Sequence, residues 1–126
     1  MIVLDTSALL FWTLDPVQLS AQANLAIEKA DHLIVSSISV WEIALKVKRG
    51  KLDLPLSISN YVEGLDRLER LEILSVDVQT WLDNLQLDWD HRDPADRTIV
   101  AIAERLDCPL VTSDHIITGF YPKTVW

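Results

Sequence analysis

The chain has 126 residues, 49% hydrophobic and 24% charged: enough apolar content for one domain with a buried core, and too much for a disordered chain. Eleven Lys and Arg against nineteen Asp and Glu leave a formal charge of −8, which excludes attraction to nucleic acid by overall charge; RNA contact would need metal ions and local basic patches, and a basic protein partner suits the balance too. Cys108 is the only cysteine, which excludes an intramolecular disulfide and suits a reducing compartment.

Met1 to Leu4 is a short apolar run that predicts a buried strand. No basic segment precedes it and Asp5 interrupts it, so no signal peptide is expected. Thr6 to Leu14 is apolar nearly all round, the pattern of a buried helix, and Asp15-Pro16 breaks it. Ser20 suits the N-cap of a helix to about Ala30, with Ala23, Ile27 and Ala30 on one stripe. Leu33 to Val35 is a second buried strand. Ser39 opens a helix to about Arg49, stopped by Gly50. A loop over Lys51–Pro55 leads to a helix starting at Ser57 or Ser59 and reaching about Arg70. Ile73 to Val76 is a third strand, and Asp77 caps a helix to about Leu85. After a polar connection over Gln86–Arg92, Asp93-Pro94 opens a helix ending near Asp107, since Asp suits the N-cap and Pro the first helical position. Pro109 to Thr112 is a fourth strand, and Thr124 to Trp126 a short last one. No apolar run approaches the ~20 residues of a membrane span, and the expected location is the cytoplasm.

Strands alternating with helices imply βαβ units: an α/β fold with a parallel sheet of four or five strands and helices on both faces, formed by residues 1–126 as one domain. Ligands of such sheets bind beyond the carboxyl ends of the strands. Asp5 and Asp114 follow two of those ends, and Glu42 and Asp96 fall in the first turns of helices that start at the same edge. Each acid has an innocent explanation. Asp5 caps a helix, Glu42 stands at capping-box spacing from Ser39, Asp96 meets a helix dipole, and Asp114 caps a terminal turn. Together they crowd four like charges with no Lys or Arg placed to pair them all. Oxygen-only ligands point to Mg²⁺, with Mn²⁺ as a substitute, and to phosphodiester chemistry.

Three glycines leave no P-loop or dinucleotide fingerprint. Asp5-Thr6-Ser7 lacks the second Asp of an aspartyl-phosphate phosphatase, and a receiver-type phosphoacceptor would want an acidic pair there. His32, His91 and His115 have no zinc-ligand spacing; His91 and His115 lie near two of the acids, where they could touch substrate, and are expected as exposed polar residues. The five tryptophans suit core or interface packing or base stacking. Lys46, Lys48, Arg49 and Lys51 form the densest basic patch, either a solvated helix end or an RNA-backbone contact.

Met1-Ile-Val-Leu-Asp-Thr-Ser-Ala8, Ser36-Ser-Ile-Ser-Val-Trp-Glu-Ile43, His91-Arg-Asp-Pro-Ala-Asp-Arg97 and Leu110-Val-Thr-Ser-Asp114 resemble the motifs of PIN-domain ribonucleases. Lys48-Arg-Gly-Lys-Leu52, Leu54-Pro55 and the Tyr121-Pro122 to Trp126 ending fit the VapC-type toxins of toxin–antitoxin pairs. The resemblance implies a PIN-like three-layer fold. It also implies a Mg²⁺- or Mn²⁺-dependent endoribonuclease that hydrolyses RNA with metal-activated water. By that resemblance Asp5, Glu42, Asp96 and Asp114 match the metal-binding catalytic acids. Asp93 matches a neighbouring acid that caps its helix, assists the metal, or both. Thr6, Thr112 and Ser113 match hydroxyl positions beside the site. His115-Ile116-Ile117 departs from the smaller or acidic residues common there, a difference at the active-site rim. A homodimer and a cognate antitoxin whose C-terminal segment covers the site are also implied. The alternative is a catalytically silent PIN-like scaffold that binds RNA or protein; a phosphatase or flap-type DNA nuclease on a similar sheet is a third reading.

Overall fold

Apolar residues alternate across the strands, and that alternation builds two cores. In the computed structural model, which describes residues 1–126, β1 is Ile2–Leu4, β2 Leu33–Ser36, β3 Leu71–Leu74, β4 Leu110–Val111 and β5 Thr124–Val125. Ile2, Leu4, Leu33, Val35 and Val111 face one side; Val3, Ile34 and Leu110 face the other. The helices are α1 (Thr6–Leu14), α2 (Ala21–Lys29), α3 (Ser37–Lys48), α4 (Ile58–Asp66), α5 (Val78–Gln86), α6 (Pro94–Leu106) and α7 (His115–Phe120). Ala8 and Leu9 of α1, Ala23 and Ile27 of α2, and Tyr61 and Leu65 of α4 fill the first side. Ile99, Val100, Ile102 and Ala103 of α6 and Ile117 of α7 fill the second. Helix α3 contributes to both, through Ile43 and Ile38. The result is three layers.

Strand order is β3-β2-β1-β4-β5, parallel throughout. The chain winds outward from β1 to β3, then returns to the other side of β1 for β4 and β5. That reversal opens a crevice at the carboxyl ends of β1 and its neighbours, where such folds hold ligands.

Several boundaries differ from the sequence expectation. Helix α4 ends at Asp66 rather than near Arg70, and β3 starts at Leu71 rather than Ile73. Arg70 ends the connection instead, its guanidinium donating to the Ile27 and Ala30 carbonyls at 2.7 and 2.6 Å and leaving the chain free to pair with β2 from Leu71. Helix α1 is buried on one face only, through Thr6, Ala8 and Leu9. Its remaining apolar side chains are part-exposed, and Trp12 and Leu14 form a surface groove with α4. Gly50 stops α3 as expected. It takes φ +69°, and the Gly50 and Lys51 N–H groups return to the Val47 and Lys46 carbonyls at 3.1 and 2.9 Å. No helix is long and apolar enough to cross a membrane.

Candidate functional site

Helix starts place the acids. Asp5 leaves β1 and caps α1 at once, its Oδ1 accepting from the Ala8 N–H at 2.8 Å. Asp93 caps α6 by accepting from the Asp96 N–H at 2.9 Å, with Pro94 first in the helix and Asp96 in its first turn. Asp114 accepts from the Ile116 and Ile117 N–H groups at 2.8 and 3.2 Å, while its own N–H donates to the Thr112 hydroxyl at 3.0 Å. Capping is thus real for Asp5, Asp93 and Asp114, and Asp114 starts a six-residue helix rather than a terminal turn.

Glu42 arrives differently. Ser36 both ends β2 and caps α3, so the helix begins at Ser37, two residues before the expected Ser39. Ser37 reinforces this early start by accepting from the Val76 N–H at 3.0 Å. Glu42 therefore lies in the second turn, and the capping-box explanation for it fails. Ser39 is fully buried, and its hydroxyl meets the Thr6 hydroxyl at 2.9 Å.

One cavity of about 260 Å³ collects Asp5, Glu42, Asp96 and Asp114, with Asp93, Lys46 and the hydroxyl residues Thr6, Ser7 and Ser113. No hydrophobic residue lines it. Thr112 is buried, and its hydroxyl accepts from the Asp114 N–H. Asp5 is only 6% exposed. Burial pushes its carboxyl up to about 6, and the charges of Asp96 and Asp114 act the same way against hydrogen bonds from Thr112 and Ala8. Asp96 is also raised, chiefly by burial and further by Asp93 and Asp114, while a His91 hydrogen bond opposes this.

No Lys or Arg forms an ion pair with any of these five acids. Their side chains do not close a cage, since no three acidic, His or Cys groups stand close enough to enclose an ion. In Asp5, Asp93 and Asp114 one oxygen is engaged by a helix N-terminus. The second oxygens of Asp93 and Asp114 accept no protein hydrogen bond. The donor set suits a hard divalent ion: carboxylates and hydroxyls, without thiols, and five acids to the one Lys46 that lines the cavity.

The basic patch divides. Lys46 lines the acid cavity. An adjoining cavity of about 280 Å³ shares Glu42, Lys46 and Asp93 with it and adds Trp41, Arg49 and Lys51. Lys48 lines neither. Sequence reasoning missed His91. It is not an exposed polar residue: its side chain is 19% exposed, and Nε2 lies 2.8 Å from Asp96 Oδ2. The available signal was its position five residues before Asp96, just ahead of a Pro-started helix. His115 is exposed as expected.

Residues 2–120 match the PIN domain family. Ribonuclease VapC22 of Mycobacterium tuberculosis is 30% identical over 128 residues, covering 99% of this chain and 98% of that protein. A toxin–antitoxin complex from Klebsiella pneumoniae superposes with a TM-score of 0.68 at 16% identity, covering 100% of this chain and 97% of the other. VapBC2 from Rickettsia felis, bound to a DNA fragment from its promoter, gives a TM-score of 0.65 at 18% identity, covering 95% and 93%. These structural likenesses speak to the fold, and the sequence matches speak to descent. The chain belongs to the PIN-domain family, as a relative of the VapC ribonucleases.

Proposed function

We propose that this protein, acting as one domain over residues 1–126, is the endoribonuclease toxin of a cytoplasmic toxin–antitoxin pair, dependent on Mg²⁺ or Mn²⁺. The observation that carries the reading is the cavity in which Asp5, Glu42, Asp96 and Asp114 meet with no ion pair to Lys or Arg. The relation to a VapC ribonuclease supports RNA as the substrate, and the likeness to toxin–antitoxin structures supports a cognate antitoxin; a homodimer is what the family resemblance implies.

Asp5, Glu42, Asp96 and Asp114 would hold the ion. The chemistry such an ion supplies when bound is activation of water and neutralisation of charge on the phosphoryl oxygens and the leaving 3′-oxygen. The protein contributes placement. Helix N-termini fix Asp5, Asp93 and Asp114, and their N–H groups hold these carboxylates in one orientation. Lys46, at the same cavity, meets a phosphate of the RNA; Arg49 and Lys51 extend that contact along the adjoining cavity. Ser113 offers its hydroxyl to the phosphate oxygens or their water.

A catalytically silent scaffold is the competing reading, and nothing in it accounts for a carboxylate buried among other acids. Incubating the purified protein with labelled RNA and Mn²⁺ tests the proposal. Parent protein should cut, and Asp5→Asn and Asp114→Asn should not. Cutting by the variants at the parental rate would remove the acids from the mechanism. An inert parent that binds no divalent ion would favour the scaffold.

A further inference from the structure

Asp96 and Arg97 are successive residues of α6, so their side chains leave the helix about 100° apart. Asp96 lines the acid cavity. Arg97 turns to the segment between α5 and α6 and binds it through every arm of its guanidinium. Nε donates to Asn84 Oδ1 at 3.1 Å. Nη2 donates to the Asn84 and Leu87 carbonyls at 2.6 and 3.3 Å, and Nη1 to the Trp89 and His91 carbonyls. Asn84 is held in turn by donating to Thr98 Oγ1 at 2.9 Å. A segment with neither helix nor strand thus has its backbone fixed at three carbonyls. The ring is fixed as well: Trp89 stacks on Phe120 at 4.6 Å and meets the His91 ring at 4.8 Å. The path from Arg97 out to this segment and back ends where His91 Nε2 lies 2.8 Å from Asp96 Oδ2.

We infer that His91 is a positioning residue for Asp96: the Arg97 clamp and the Trp89 ring hold its Nε2–H against Oδ2, which fixes the carboxylate and leaves Oδ1 free for a divalent ion. Donors behind a ligating group orient it, and losing one typically weakens metal binding about 10- to 100-fold. This contact is one of several that hold the segment. Arg97, Asn84 and Trp89 would order the segment without it.

The inference rests on the acid cavity being a metal site, and the experiment separates the two. Mn²⁺ is titrated calorimetrically into the parent, His91→Ala, His91→Gln and Asp114→Asn, with melts of each protein in EDTA. The inference predicts Mn²⁺ binding about 10- to 100-fold weaker in His91→Ala, with an EDTA melt close to the parent's. It predicts that His91→Gln, whose side-chain N–H can reach the same oxygen, regains most of the affinity. Unchanged or tighter binding in His91→Ala overturns it. So does a loss equal in Ala and Gln, which would assign the effect to the ring. A parent that binds no Mn²⁺, or binds it as well after Asp114→Asn, overturns the metal reading itself and this inference with it.

Discussion

The Thr6 and Ser39 hydroxyls meet at 2.9 Å in a buried contact that ties the first turn of α1 to the first turn of α3. One helix is capped by Asp5 and the other carries Glu42 in its next turn. This pair therefore sets the spacing between two of the four acids. Ser39→Ala leaves the Thr6 hydroxyl buried without that partner, at a cost of about 1–3 kcal/mol. Thr6→Val with Ser39→Ala should cost less than the sum of the two single changes, because both polar groups leave together. A double-mutant cycle in urea checks this, and additive costs would show that the two hydroxyls do not depend on each other.

Asp5 makes the metal-free protein sensitive to pH. Its folded value, about 6, lies above its ordinary 3.8. A raised carboxyl contributes most below pH 4, where it is protonated in both states. That contribution is lost as pH rises through about 6, since the unfolded chain releases the proton more readily. The difference corresponds to at most about 3 kcal/mol. Asp5→Asn should thus raise the melting temperature in EDTA at pH 7, and flatten the fall in stability between pH 4 and 6. Equal pH profiles for parent and variant would deny that the buried charge is costly.

A divalent ion should reverse that cost. Mn²⁺ should raise the melting temperature of the parent by an amount that grows with its concentration, and EDTA should undo the rise. Asp5→Asn should respond far less. Ca²⁺ should bind but support little cleavage, because its longer and looser coordination positions water poorly. Scanning calorimetry and cleavage assays with Mg²⁺, Mn²⁺ and Ca²⁺ measure both parts.

The basic patch should act unevenly. Lys46→Gln should weaken binding of an uncleavable RNA and lower the log–log salt slope by roughly 0.7, the loss of one single-strand phosphate contact. Lys48→Gln should change neither, because Lys48 lines neither cavity. Equal effects from both would mean that the helix end attracts RNA only by its general charge.

Much of this was legible in the sequence. Continuous apolar strands bounded by Asp or Pro gave the sheet, and the Asp93-Pro94 pair gave the start of α6 correctly because cap and first-turn preferences agree there. Position along a parallel α/β chain was enough to bring Asp5, Glu42, Asp96 and Asp114 to one edge. Reading Ser39 as the helix start puts Glu42 in a first turn, although Ser36 and Ser37 suit an N-cap equally well. Only the tertiary bonds, Ser37 to Val76 and Ser39 to Thr6, decide among them. Helix α7 is too short to show periodicity in the sequence. The role of His91 depends on an Arg97 clamp closed through backbone carbonyls, and carbonyls leave no mark on residue identity.

The most direct measurement is the chemistry of the cut ends. Purified protein is incubated with a defined RNA in Mg²⁺, Mn²⁺ or EDTA, and the fragments are identified by mass. Metal-activated water with a leaving 3′-oxygen predicts 5′-phosphate and 3′-hydroxyl ends, no cutting in EDTA, and none by Asp5→Asn. Undiminished cutting in EDTA, or 2′,3′-cyclic phosphate ends, would mean that the RNA's own 2′-hydroxyl attacks, and would contradict the metal-dependent account of the acid cavity.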